Sequence, residues 1–227
     1  GDHRDLHSFP TRRPSDLDII ARLLVSRHVS LEEVDGFLNP KLRDIMPDPS
    51  SLIDMDVAVD RLVKAISGNE LIGLFADYDV DGATSSALLK MYLDALNIRT
   101  ELYIPDRIKD GYGPNKQGLE YLKDKGANLI LTLDCGILAF DVLDDFNLQG
   151  GEVIVIDHHM AEPKLPKAIA VVNPNRLDDL SDLGNLAAVG VVFLLSSEER
   201  RVGKECRSRV SPYHLKKHTL IQSTPHP

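Results

Sequence analysis

Three short, mostly apolar segments, each followed directly by an aspartate, constrain the fold of this chain more than any other feature. The segments are 71–76, 129–133 and 152–156, and the aspartates after them are Asp77, Asp134 and Asp157. Such runs are typical of parallel strands, which helices cover on both faces. Open α/β sheets bind ligands at the carboxyl ends of their strands. We therefore expect three strands of one sheet to bring acidic side chains to one edge.

Segments with helical spacing of apolar residues alternate with these strands. Helices are predicted over 55–66, 84–96, 116–125 and 138–146, and further strands over 100–104 and 168–172. This order predicts right-handed crossovers and an α/β fold, a parallel sheet flanked by helices. Helical spacing over 18–28, and a capping box of Ser30 and Glu33 before a helix that ends near Leu38, predict a small N-terminal helical lead-in.

The run Asp77-Tyr78-Asp79-Val80-Asp81-Gly82 places three carboxylates within five residues. Like charges this close raise one another's pKa unless cations lie among them. Capping of the next helix would explain one such aspartate, and it would also explain Asp134 if that residue stood alone. It does not explain three carboxylates at the same edge of the sheet as Asp134. Oxygen ligands with one or two imidazoles suit Mn²⁺ or Mg²⁺. We therefore expect two divalent cations, which together can hold a phosphate and activate a water molecule.

Other polar residues are predicted at the same edge. His158 and His159 directly follow Asp157, so that one imidazole can bind metal and the other a phosphate oxygen, although a single histidine there would more often be structural. Arg107 can clamp a phosphate and Tyr112 can stack on a base, or both can belong to a glycine-rich turn. Gly82 opens a helix whose amides can face an anion, or it simply makes the turn.

Composition narrows the class of protein. No run approaches the ~20 apolar residues of a membrane-spanning helix, and no signal-peptide pattern is present, so we expect a cytoplasmic protein without membrane contact. Cys135 and Cys206 form neither a disulfide framework nor a CxxC motif, and Cys135 is expected to be a small packing residue.

The two ends differ from the middle of the chain. Residues 1–17 and 197–227 show no sustained helical or strand period, and residues 18–196 carry a charge of −13 against −9 for the whole chain. One interpretation of the basic tail is a disordered nucleic-acid-binding segment. Both ends, however, resemble translated sequencing adapter, and we expect them to be non-native. The expected organisation is then a helical lead-in and connector over 18–53 and a domain over 54–196.

Five segments in order resemble motifs of the DHH phosphoesterase superfamily and, within it, of the RecJ-type single-strand-specific DNA exonucleases. They are "ADYDVDGATSSALL", "YIPDRIKDGYG", "LILTLDCGI", "VIVIDHHMAEPKLPKAIAVVNPNR" and "LAAVGVVFLL". The resemblance covers about residues 18–196. The chain departs from the pattern at Ala76, where the family commonly has glycine, and at Ala188, which interrupts a glycine-rich element.

The resemblance implies a role for each matching residue. The metal ligands would be Asp77, Asp79, Asp81, Asp134 and His158, holding two Mn²⁺ or Mg²⁺ ions with Asp134 as the bridge. His159 would face the scissile phosphate, so the predicted catalytic residues are Asp134, His158 and His159. The predicted substrate-binding residues are His159, Arg107, Tyr112 and Gly82.

The resemblance also implies an activity. It is metal-dependent hydrolysis of single-stranded DNA from the 5′ end, in DNA repair and recombination. The family adds a further aspartate ligand, a DHHA1 domain and an OB-fold that grip DNA, so we expect a C-terminally truncated catalytic domain. Alternatives are a phosphodiesterase of short oligonucleotides or cyclic dinucleotides, and a non-enzymatic replication scaffold, although a scaffold needs no cluster of mutually repelling acids.

Overall fold

The computed structural model describes residues 16–208, so most of the two segments expected to be non-native lies outside the described residues. The chain divides into two compact units, one ending at Pro47 and the other beginning at Asp48. The first unit contains α1 (Asp16–Ser26), α2 (Val34–Leu38) and α3 (Leu42–Ile45). Before α2, the Glu33 carboxylate accepts hydrogen bonds from the Ser30 amide and hydroxyl at 2.9 and 2.8 Å. The three helices confirm the predicted helical lead-in, but the predicted capping box is not formed, because Glu33 rather than Ser30 is the N-cap of α2 and no side chain caps the helix.

The second unit is built on a five-stranded, fully parallel sheet. Its strands are β1 (Ile72–Ala76), β2 (Thr100–Tyr103), β3 (Leu129–Leu133), β4 (Glu152–Ile156) and β5 (Ala170–Val172). They lie in the order β2-β1-β3-β4-β5. The chain moves outward from β1 to β2 and then returns to the other side of β1 as β3. The strand order therefore reverses between β1 and β3, the position at which α/β sheets form ligand crevices.

Helices cover the sheet, as predicted for strands buried on both faces. They are α4 (Met55–Ser67), α5 (Val80–Ala95), α6 (Lys116–Asp124), α7 (Phe140–Leu148) and α8 (Ala188–Ser208). Helices α4 and α5 both contact α8. Leucines of α6 and phenylalanine of α7 share a buried core with Phe75 of β1, Ile130 of β3 and Val153 of β4. The predicted fold class, a parallel sheet flanked by helices, is confirmed.

The outer edge of β5 is covered by an ion pair between the buried Arg176 and the half-buried Asp54. Arg176 Nη1 donates to Asp54 Oδ2 and to the Val171 carbonyl, both at 2.7 Å, and the Val171 amide donates to the same Asp54 oxygen at 3.1 Å. Arg176 also pairs with Asp178 through two hydrogen bonds. These contacts satisfy the backbone of an edge strand that would otherwise present free groups.

The structure differs from the sequence prediction at two boundaries, the end of α8 and the start of the sheet-containing unit. Helix α8 continues to Ser208, through residues after 196 that were expected to lack regular structure. The glutamates and arginines of that stretch have high intrinsic helix propensity, which explains a helix without a clear apolar period. The sheet-containing unit also begins before residue 54, because Leu52 is buried and the Ile53 amide donates to Asp179 at 3.0 Å.

Among the helices of residues 16–208, none combines the length and the apolar character that a membrane-spanning helix requires.

Candidate metal centre

The register of the sheet brings three aspartates side by side. Ala76 pairs with Leu133, and Leu133 pairs with Ile156, so Asp77, Asp134 and Asp157 each follow one of three aligned residues. Their own amides continue the ladder: Asp77 donates to the Leu133 carbonyl at 3.1 Å and Asp134 to the Ile156 carbonyl at 2.9 Å. The strand ends therefore fix the backbone of this edge before any side chain contributes.

A first cluster joins Asp77, Asp79 and Asp134, whose carboxylates each place an oxygen within 4.8 Å of the others. Asp77 and Asp134 are buried, while Asp79 is exposed. Asp77 Oδ1 and both oxygens of Asp134 are buried and accept no hydrogen bond. Buried carboxylate oxygens without donors are costly and need an explanation.

Burial perturbs the two inner carboxylates. The loss of solvent, the hydrogen bond of the protonated carboxyl with Asp79 and the charges of Asp81 and Asp79 together raise the pKa of Asp134 to about 8. The pKa of Asp77 is also raised, again mainly by burial. Asp134 has a positive φ of 62°, a backbone conformation that is uncommon outside glycine and concentrates at functional sites. In the absence of cations, the surroundings of Asp77 and Asp134 therefore favour the protonated, uncharged form of these acids.

A second cluster joins Asp134 to His158 and His159. His158 Nε2 lies 3.2 Å from Asp134 Oδ1 and 3.5 Å from Asp81 Oδ2. His159 Nδ1 lies 3.9 Å from the same Asp134 oxygen. Asp134 is thus common to both clusters, between the acidic group on one side and the imidazoles on the other.

Asp157, the third aspartate predicted at this edge of the sheet, uses both carboxylate oxygens in hydrogen bonds. Oδ1 accepts from the amides of His158 and His159 at 2.7 and 3.1 Å and from His159 Nδ1 at 2.8 Å. Oδ2 accepts from the Ile137 amide at 3.0 Å. Burial alone would raise its pKa, but the hydrogen bonds from His159 and the amides lower it. Asp157 therefore stays ionised and holds the two histidines in place.

His159 receives its orientation and charge from this aspartate. An ionised carboxylate can only accept, so Nδ1 carries the proton of their hydrogen bond and Nε2 faces away from Asp157. The hydrogen bond to Asp157 raises the pKa of His159 to about 8, more than partial burial lowers it. The ring is therefore cationic near neutral pH in the metal-free protein.

Asp81 connects the cluster to α8. Its Oδ2 accepts from the Ala188 amide at 2.7 Å and its Oδ1 from the Val189 amide at 2.9 Å, at the first two residues of that helix. Its Oδ2 is also the oxygen that lies 3.5 Å from His158. The small side chain of Ala188, the residue that departs from the family pattern, is fully buried at this contact.

Asp79 and Gly82 form the start of α5. Asp79 caps the helix by accepting from the Gly82 amide at 2.9 Å, and this hydrogen bond lowers the pKa of Asp79. A Cβ atom on Gly82 would lie 2.3 Å from the Asp77 carbonyl oxygen, so the glycine permits a close backbone approach. Its amide is occupied by Asp79, and a role of Gly82 in binding substrate stays a prediction.

Tyr112 and Arg107 occupy different positions around the centre. The Tyr112 hydroxyl lies 3.4 Å from the ring nitrogens of His159 and 3.5 Å from the Asp134 carbonyl, and the two rings meet edge to face. Burial raises the pKa of Tyr112, so its hydroxyl stays protonated. Arg107 is exposed and lies over the ring of Tyr78, the residue between Asp77 and Asp79 in the sequence. Cys135 is buried under the site with a raised pKa, in agreement with a packing role.

Asn173 and Asn175, which follow β5, are the residues whose importance the sequence underestimates. Their side-chain amides bind the carbonyl oxygens of His159 and His158 respectively. The sequence signal was the Asn-Pro-Asn run at the end of an apolar strand, which by itself indicates only a turn.

The donor set fits divalent cations. The buried oxygens without donors belong to carboxylates, the ligands that Mg²⁺ and Mn²⁺ prefer, and the second cluster adds the imidazoles of His158 and His159. A cation at each cluster would neutralise the repulsion that raises the pKa of Asp134.

The chain is similar to known proteins over most of its length. It is 39% identical over 179 residues to the single-stranded-DNA-specific exonuclease RecJ of Bacillus subtilis, covering 78% of this chain and 23% of that protein. It is 39% identical over 199 residues to the protein of the same name from Dickeya dadantii, covering 86% of this chain and 34% of that protein. The matched part of the chain thus spans about a quarter to a third of the length of these relatives.

Solved structures show the same fold. A crystal structure of exonuclease RecJ bound to manganese matches with a TM-score of 0.60 and 33% identity, over 67% of this chain and 39% of that one. RecJ from Thermus thermophilus in complex with Mn²⁺ matches with a TM-score of 0.63 and 28% identity, over 81% and 25% of the two chains. Residues 71–214 match the model described as the DHH family, N-terminal domain. The chain belongs to the DHH family.

Proposed function

We propose that this chain carries the catalytic centre of a RecJ-type exonuclease that hydrolyses single-stranded DNA from its 5′ end. The carrying observation is Asp134, whose two buried oxygens lack donors and which belongs to both clusters of possible metal ligands. Identity of 39% to RecJ proteins supports the same reaction and substrate class. A role in DNA repair and recombination and a cytoplasmic location belong to the same proposal.

Two sets of residues would hold the cations. Asp77, Asp79 and Asp134 would hold one ion. Asp134 and His158 would hold the other together with Asp81, whose Oδ2 lies 3.5 Å from His158 and also accepts from the Ala188 amide, so Asp134 would be shared. When bound, Mn²⁺ or Mg²⁺ would supply charge neutralisation for a phosphate and a lowered pKa for a coordinated water molecule. The contribution of the protein is the fixed placement of these oxygens and of the His158 ring at the ends of three strands.

His159 would bind the phosphate. Asp157 holds its Nδ1 and leaves Nε2 to donate toward an anion, and the raised pKa of the ring keeps it cationic near neutral pH. Its side chain is 43% exposed, so a substrate can reach it. A cationic donor in this position would stabilise negative charge on the phosphate oxygens as it develops.

Tyr112 and Arg107 would contact the nucleotide around that phosphate. Tyr112 is 57% exposed and packs its edge against His159, which leaves ring surface available for a base. Arg107 is exposed over Tyr78 and can pair with a neighbouring phosphate. The acidic charge of residues 18–196 supports a DNA grip supplied largely by residues outside this range.

The test is the nuclease activity of the protein with Asp134→Asn, compared with that of the unaltered protein. The substrate is single-stranded DNA with a 5′ phosphate, with Mn²⁺ present, and we expect at least a ~100-fold loss of mononucleotide release because the shared ligand loses its charge. Asp94→Asn, in an exposed pair with Lys90, is the matched control and should retain activity. Retained activity of the Asp134 variant would contradict the proposal.

A further inference from the structure

The backbone of the His158–His159 dipeptide lies outside helices and strands, and side chains bind all four of its polar groups. The two amides donate to Asp157 Oδ1 at 2.7 and 3.1 Å. The His158 carbonyl accepts from Asn175 Nδ2 at 2.5 Å, and the His159 carbonyl from Asn173 Nδ2 at 2.9 Å. Helices and sheets normally provide the hydrogen bonds of buried backbone amides and carbonyls. Here three side chains provide them instead.

The two asparagines are themselves held in place. Asn173 is fully buried, and its Oδ1 accepts from the Asn175 amide at 2.7 Å, which orients its Nδ2 toward His159. Asn175 Nδ2 also donates to the Gly184 carbonyl at 3.2 Å. A Cβ atom at Gly184 would lie 2.7 Å from Asn175 Oδ1, so this side chain is confined on that side as well.

The chemistry of the contact requires an amide. Both partners are carbonyl oxygens, so only a donor satisfies them, and a carboxylate of the same shape would bring oxygen against oxygen. A carboxylate would also add charge beside a centre that already contains Asp81, Asp134 and Asp157. Asparagine therefore supplies donors with the reach of aspartate and without its charge.

We propose that Asn173 and Asn175 are positioning residues that fix the His158–His159 backbone and so aim the two imidazoles in different directions. The consequence is geometric: His158 Nε2 lies 3.2 Å from Asp134, while His159 Nδ1 lies 2.8 Å from Asp157. Neighbouring side chains on a free loop would sample many orientations, and two anchored carbonyls remove that freedom. The link to metal affinity rests on the proposed function, whereas the backbone anchoring does not.

The first test is amide hydrogen exchange of the metal-free chain carrying Asn175→Asp. Loss of one donor should speed exchange at the His158 and His159 amides by about fivefold or more, the equivalent of one hydrogen bond. Asn147→Asp is the matched control, because Asn147 is similarly half-buried and donates to the Lys167 carbonyl far from this centre. Exchange at His158 and His159 that changes no more than in the control would overturn the proposal. Asn173→Asp is a second variant, although its full burial makes folding more sensitive to the added charge.

The second test is Mn²⁺ binding, measured by electron paramagnetic resonance of the free ion. Partners that orient a ligand are worth about 10- to 100-fold in metal affinity, so Asn175→Asp should bind Mn²⁺ at least ~10-fold more weakly than Asn147→Asp. Equal affinities in the two variants would overturn the positioning role toward metal. An unaltered chain that binds no Mn²⁺ would contradict the proposed function, while the exchange experiment would still decide whether the asparagines anchor the histidines.

Discussion

Asp134→Asn should stabilise the metal-free chain although it removes the residue most important for the proposed activity. The unfolded chain ionises this acid near pH 4, whereas burial raises its pKa to about 8 in the folded protein. Between these values the unfolded state loses the proton and the folded state keeps it. The free energy of unfolding therefore falls as pH rises from about 4 to 8, and the contribution is complete only at acidic pH.

The magnitude follows from the size of that shift. Between pH 4 and pH 8 the free energy of unfolding falls by about 1.4 kcal/mol per pH unit. At pH 7 the contribution of Asp134 to this free energy is therefore about 4 kcal/mol lower than at acidic pH. Asparagine avoids this cost but buries an amide whose hydrogen-bond partners are missing, at about 1–3 kcal/mol. We expect a net stabilisation of about 1–3 kcal/mol at pH 7, or ~2–12 °C in Tm for a chain of this size.

The assay is urea unfolding with a metal chelator present, at several pH values from 5 to 8. The stability difference between variant and unaltered chain should grow with pH, because only the unaltered chain titrates at this position. Added Mn²⁺ should raise the stability of the unaltered chain more than that of the variant. Either of two results would refute the reasoning. The stability difference between variant and unaltered chain could stay constant with pH, or it could shrink or reverse in sign between pH 5 and pH 8.

Two further predictions concern the surroundings of the centre. Gly82→Ala should destabilise the chain by about 1–3 kcal/mol in urea unfolding, since the new methyl group would meet the Asp77 carbonyl, whereas Gly36→Ala, with nothing within 4 Å, should be neutral or stabilising. Arg176→Met should cost about 1–2 kcal/mol by the same measurement because it leaves the half-buried Asp54 and the Val171 carbonyl without their partner, whereas Lys90→Met in an exposed pair should cost at most about 0.5 kcal/mol; equal effects would contradict a structural role for the Arg176–Asp54 pair.

The strands and their acids are predictable from sequence because their signals are local. The segments before Asp77 and Asp134 are apolar except for Thr132, as burial on both faces favours, and the observed strands Ile72–Ala76 and Leu129–Leu133 match the prediction to within one residue. The close approach of those acids then follows from parallel pairing, which leaves the carboxyl ends at one edge.

The functions of individual polar groups depend on contacts that no local pattern encodes. Asp157 resembles its neighbours in the sequence, yet it accepts four hydrogen bonds and serves as an anchor. Asp81, which is proposed as a metal ligand, also binds amides more than 100 residues away, at Ala188 and Val189, and Asn173 binds a carbonyl at the end of another strand. Such pairings depend on tertiary packing, so residue type and spacing cannot distinguish a ligand from an anchor.

The attachment of Asp81 to α8 also has an electrostatic consequence. The first turn of a helix carries roughly half a positive elementary charge from its aligned peptide dipoles. Because Asp81 binds the Ala188 and Val189 amides, α8 directs this end toward the acidic group. The helix is thus a permanent partial counter-ion, and it offsets some of the repulsion among the carboxylates whether or not a cation is bound.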